Sequence, residues 1–217
     1  APLSATARTL WLLLSSLARL TARWLSHAPA TTVVTVALTL MSATYWVWRD
    51  QFNVLEASPS PSHWWSIFSS VGAVPGHFLA TAVLGIATMI VAGGAAERHL
   101  GTRVWIAAAL AGQVVGVTAT WATLPLLKRA ITEWGQAIGE GTLWGTSLML
   151  IALAGAAVQS LGARWRWRAR FLLVGVLVLS SAILGSAISY ARVWALLAGM
   201  TAARLLGVRG SNSDSTD

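Results

Sequence analysis

The chain contains no cysteine, which excludes a disulfide framework, a thiolate metal site and a cysteine nucleophile. Acidic residues are scarce, with seven Asp and Glu against 15 Lys and Arg in 217 residues. Histidine stops early: the four stand at His27, His63, His77 and His99, so the C-terminal half has no imidazole base. Charged residues make up only 10% of the chain, where soluble globular proteins carry roughly 25%. An ordinary soluble domain is therefore excluded. Apolar residues take up the difference at 56%, and several runs reach the ~18–20 residues that a helix needs to cross a bilayer. The length suits one domain, and the composition predicts a multi-span membrane protein.

The net charge of +8 invites a nucleic-acid reading. In a membrane protein, excess Lys and Arg mark cytoplasmic loops instead, and no nucleic-acid partner is expected. The run LWLLL at 10–14 is too short for a signal-peptide core, and Arg19 and Arg23 stand where a small-residue cleavage site would be. Leu10, Leu13, Leu14, Leu17, Leu20 and Trp24 recur at helical spacing, with Arg8, Arg19 and Arg23 off that stripe. This predicts an amphipathic helix in the membrane surface over residues 1–29, with a solvated or partner-bound helix as the alternative.

Six spans are expected: Thr31–Trp48, Phe78–Ala96, Val104 to Trp121 or Pro125, Thr142–Leu161, Phe171–Ile188 and Val193–Val208. A long loop at 49–76 holds the apolar patch His63-Trp64-Trp65-Ser66-Ile67-Phe68, and Ser189–Arg192 reads as the last turn. This topology sends Arg8, Arg19, Arg23, Arg98, Arg103, Arg164, Arg166, Arg168, Arg170, Arg204 and Arg209 to one side. Arg49, Lys128, Arg129 and Arg192 go to the other. Eleven against four, accounting for all 15 cations, predicts both termini in the cytoplasm and a multi-pass protein of the plasma membrane. The membrane domain covers 30–208, and residues 209–217 read as a disordered cytoplasmic tail.

Arg164-Trp165-Arg166-Trp167-Arg168-Ala169-Arg170 reads as an interfacial anchor, with Arg on anionic lipid headgroups and Trp at the headgroup level. Stretches of small residues allow close helix approach: Ala108, Gly112 and Gly116, then Gly141 and Gly145, then Ala195, Gly199 and Ala203. They read as packing seams, with Gln113 as an interhelical hydrogen-bonding group. Glu97, at a span's end, is too costly to leave unpaired. Arg98, Arg103 or amides at the start of the third span are the expected donors, making Glu97 a structural residue that pins the turn near Gly101.

Taken together, these features resemble the rhomboid family. Gly93-Gly94-Ala95-Ala96-Glu97-Arg98-His99-Leu100-Gly101 is similar to its Glu-Arg-x-x-Gly signature, His77 falls at the outer entrance of the second helix, and Trp64, Trp65 and Phe68 resemble the preceding aromatics. The resemblance implies an all-α, integral membrane six-helix rhomboid-like bundle. It also implies a serine on the fourth helix and a histidine base on the sixth, as nucleophilic catalysis requires. The expected serine position reads Leu143, the oxyanion-stabilising position reads Thr81, and the sixth span has no histidine. The catalytic set therefore reads as absent, with His77 left over. A Ser147/His77 pair is the low alternative, although membrane serines usually bond their own helix. No ligand spacing among the histidines suggests a metal, and no cofactor is expected.

The leading expectation is a non-catalytic rhomboid-like pseudoprotease that binds another membrane protein. The alternative is a lipid-handling module, because similar actinobacterial rhomboid-like segments are joined to lipid aminoacyl-transfer domains. A divergent intramembrane serine protease is third.

Overall fold

The computed structural model describes residues 15, 19, 26–48, 79–131, 133 and 146–208. Every regular element among them is helical. The first is α1, Pro29–Trp48. It is followed by α2, Leu79–Thr88, a π-turn at Met89–Gly93 and α3, Gly94–Leu100, which form one continuous rod. Then come α4, Thr102–Ala130; α5, Ser147–Gln159; α6, Ala163–Leu184; and α7, Ala187–Leu205. Counting α2–α3 once gives six rods. Most of the N-terminal segment, the 49–76 loop and the tail lie outside the described residues, as do His77, Gly141, Leu143 and Gly145.

Consecutive rods alternate in direction. One cluster of buried side chains gathers the start of α1 (Ala30), the start of α4 (Val104, Trp105), the C-terminal half of α5 (Ala156) and the end of α7 (Ala203). The opposite cluster gathers the end of α4 (Leu124), the start of α5 (Leu148) and the start of α7 (Ala187, Ala191). Arg98, Arg103, Arg164, Arg166, Arg168, Arg170 and Arg204 lie toward the first end; Lys128 and Arg129 lie at the second.

The turn between α6 and α7 differs from expectation. It is Gly185–Ser186, and Ser189–Arg192 is helix. Gly185 takes the left-handed conformation (φ 57°) that ends α6, and Ser186 caps α7 by accepting from the Ser189 amide at 3.3 Å. A left-handed glycine followed by a capping serine is the ordinary way to stop one helix and start another. Arg192 is thereby moved from a loop into α7. At the other end of α6, the arginine–tryptophan segment is not a loop either, since it forms the helix's first two turns. α4 also runs past Pro125 to Ala130.

The helices that touch most closely, α4, α5 and α7, meet through small residues. A Cβ on Gly112 would stand 2.2 Å from Ala152 Cβ, one on Gly155 2.5 Å from the Leu196 carbonyl, and one on Gly199 1.9 Å from the Ala152 carbonyl. Among the described residues, 11 of the 23 buried apolar side chains are alanine. Many bulky side chains point outward instead, including Val33, Leu40, Leu84, Val91, Leu172 and Ile183. α6 is the extreme case: only Leu177 and Ser181 are buried along its 22 residues. By length and composition, α4 and α6 could each cross a membrane; the apolar parts of α1 and α5 are shorter.

Candidate functional site

The arginine-rich end is held by a carboxylate. α1 begins at Ala28-Pro29, a start with no capping side chain, which leaves the next amides without acceptors. Glu97, from α3, supplies them. Its Oε1 accepts from the Ala30 amide at 3.0 Å and the Thr102 hydroxyl at 2.8 Å, and its Oε2 from the Thr31 amide at 2.7 Å. The side chain is only 2% exposed. Burial pushes its carboxyl up, but the hydrogen bonds from Thr31, Ala30 and Thr102 outweigh this and hold it below the ordinary glutamate value. Amides at the start of a helix also favour a negative charge.

The amides are those of α1, 66 and 67 residues away, rather than those at the start of α4, which contributes the Thr102 hydroxyl. Gly101 closes the turn at φ 80° and ψ 153°, a region open essentially to glycine alone. Beside it, the buried Trp105 indole donates to the Gly93 carbonyl at 2.9 Å. An apolar groove of about 370 Å3 opens between α1 and α4, lined by Pro29, Val33, Trp105 and Ile106 among others, and it holds no titratable group.

At the same end, His99 Nε2 lies 2.6 Å from Ser160 Oγ. That hydroxyl donates to the Ala157 carbonyl, also at 2.6 Å. The hydroxyl proton therefore has a carbonyl acceptor within reach, and the His99 ring nitrogen donates or accepts according to its tautomer. The contact links α3 to the turn after α5, and spacing alone could not reveal it because the pair is separated by 61 residues.

The four arginines of the interfacial anchor divide by role. Arg166 donates through Nε and Nη2 to the Leu161 carbonyl at 3.0 and 2.8 Å, and Arg170 donates to Gln159. Both tie the end of α5 to the start of α6. Arg164 and Arg168 are exposed, Arg168 lying 5.5 Å from the centre of the Trp165 ring, and Trp165 and Trp167 are also exposed. Replacing Arg164 and Arg168 with Gln should weaken binding to phosphatidylglycerol vesicles. The same change at Arg166 and Arg170 should lower the melting temperature and leave vesicle binding nearly intact. Co-sedimentation and thermal melts separate the two effects.

The opposite end holds Ser147, the first residue of α5. Its hydroxyl oxygen is buried and has no hydrogen-bond partner, and the same is true of Arg192 Nε on α7. The two stand at one level, since Leu148 and Ala191, their chain neighbours, converge on Gly116. Nearby, Tyr190 donates to Thr123 at 3.0 Å, joining α7 to α4. Ser147 lies about 20 Å of helix rise from the His99 contact at Ser160, so these two cannot cooperate. Thr81 falls within α2, but its side chain lies outside the described set. Gln113 is buried in α4, while Gly112 and Gly199 both close on Ala152. No metal-ligating group of His, Asp or Glu forms among the described residues. No family model, curated protein or solved structure matches this chain.

Proposed function

We propose that this chain is a rhomboid-like integral membrane protein without protease activity, which serves as a helical scaffold for another membrane protein. One observation carries the non-catalytic reading: the residue of α7 level with Ser147 is an arginine. A guanidinium stays protonated and offers donors only, so it cannot take the serine's proton. In this reading Ser147 carries the hydroxyl, and α7 sets an arginine rather than a base beside it.

The membrane setting is supported by the inverted placement of side chains. In water, leaving Phe171, Leu172, Val176, Val178, Leu179, Ile183 and Leu184 of α6 bare would forgo on the order of 10–20 kcal/mol of burial, as much as a whole domain's stability. In lipid that cost vanishes, and small residues are what bring helices together. The rods then span the plasma membrane, with the arginine-rich end in the cytoplasm. The exposed Arg164, Arg168, Trp165 and Trp167 support the second reading, a module that handles anionic lipid.

Protein reconstituted in bilayers and incubated with a single-span substrate and a fluorophosphonate should show neither cleavage nor labelling. Labelling at Ser147 that disappears in His77→Ala would overturn the proposal. Headgroup-dependent lipid scrambling that is lost in the Arg164/Arg168 variant would favour the lipid reading.

A further inference from the structure

The end of the bundle opposite the arginine-rich face contains buried donors without an acceptor. Ser147 Oγ and Arg192 Nε are both in this condition. Arg192 heads the stripe Arg192, Leu196, Gly199 and Ala203 at helical spacing, and this stripe meets α5: Gly199 closes on Ala152, and Leu196 on Gly155. Position 192 therefore lies on the α5-facing side of α7, near the level where α5 begins with Ser147.

Buried polar groups in native proteins are nearly always satisfied, and an exception calls for a missing partner. The chemistry of that partner follows from the donors. A guanidinium can only donate and binds two oxygens of a planar or tetrahedral anion in a fork, while a serine hydroxyl can add a third bond. The protein's own described carboxylates are elsewhere: Glu97 is committed to α1, and Glu133 is exposed beyond the end of α4.

We infer that Ser147 and Arg192 form a receptor for an oxyanion, a carboxylate or phosphate group, at this end of the bundle. The inference rests on the reading of Ser147 as a hydrogen-bond donor rather than a nucleophile. It gives the arginine a purpose that a merely degenerate active site would not. It also explains why a cation is retained in a helix face otherwise made of small and apolar residues.

The test is a thermal melt of the purified full chain in neutral detergent, titrated with inorganic phosphate or acetate against chloride at matched ionic strength. A saturable rise in melting temperature is expected. Arg192→Gln should abolish it, Arg192→Lys should weaken it, and Ser147→Ala should raise the apparent dissociation constant about tenfold, as losing one hydrogen bond to a charged group would. Without added anion, Arg192→Gln should melt no lower than the parent, since it removes an unpartnered charge. A parallel arm in phosphatidylglycerol and phosphatidylcholine vesicles identifies the source. Stabilisation by the anionic lipid alone marks a headgroup, and stabilisation by free phosphate or acetate marks a soluble anion; either supports the receptor. No anion effect in any arm, or an equal effect in the parent and Arg192→Gln, overturns it. Fluorophosphonate labelling is read separately, so a failure of the non-catalytic reading stays distinguishable from a failure of the receptor.

Discussion

Glu97→Ala is expected to cost about 3–5 kcal/mol, because it leaves three donors in a buried site without their shared anion. Those donors are the Ala30 and Thr31 amides and the Thr102 hydroxyl. Glu97→Gln should cost less, about 2 kcal/mol: one oxygen still accepts, while the new NH2 faces a donor. The pH dependence has a definite sign. Burial raises the Glu97 carboxyl and the hydrogen bonds lower it, with a net value below 4.5. A carboxyl held below its unfolded value stabilises the fold at higher pH, and that contribution disappears as pH falls through the folded value. The parent and Glu97→Gln should therefore differ clearly in melting temperature at neutral pH and converge as pH falls below 4.5. A gap that persists undiminished at low pH would mean that the charge is not what holds α1.

Gly199→Ala should be the most damaging glycine-to-alanine change among the described residues. The added Cβ would stand 1.9 Å from the Ala152 carbonyl oxygen and 2.6 Å from its carbon. Backbone atoms cannot rotate away as a side chain can, so α5 and α7 must separate. Overpacking usually costs ~1–3 kcal/mol, and a backbone collision at the centre of a three-helix contact should reach or exceed the upper value. Gly112→Ala offers a sharper comparison because its obstacle is the Ala152 side chain, at 2.2 Å. Ala152→Gly in the same molecule should restore much of the lost stability, and it should do little for Gly199→Ala. Gly175→Ala is the control: its Cβ would meet nothing within 4 Å, so its melting temperature should stay at the parent value or rise slightly.

The six helical rods among the described residues and the seams at Gly112 and Gly199 were legible in the sequence because both are periodic patterns within single segments. Ala108, Gly112 and Gly116 fall on one helical face whatever the partner is. The turn between the last two helices was legible in principle at Gly185-Ser186. The polar residues of Ser189-Tyr190-Ala191-Arg192 have the composition of a loop, yet Ser189 is buried and Tyr190 is anchored to Thr123. Polarity was a poor guide to a loop in a bundle whose interior holds hydroxyls. Glu97's need for donors was readable from its cost in apolar surroundings, but the identity of those donors depended on how the first two rods pack. Ser147 and Arg192 lie 45 positions apart with no shared motif, and only the parallel run of α5 and α7 puts them at one level.

The Glu97 cap also sets an order of events during synthesis. α1 leaves the ribosome with its first amides open, and the carboxylate that closes them follows 67 residues later. At ~5–20 residues per second, that interval is roughly 3–13 s. For that time the first helix depends on lipid or on the insertion machinery for its stability, and it becomes fixed only when the second rod arrives with its acid. The first and second helices should therefore mature as a pair.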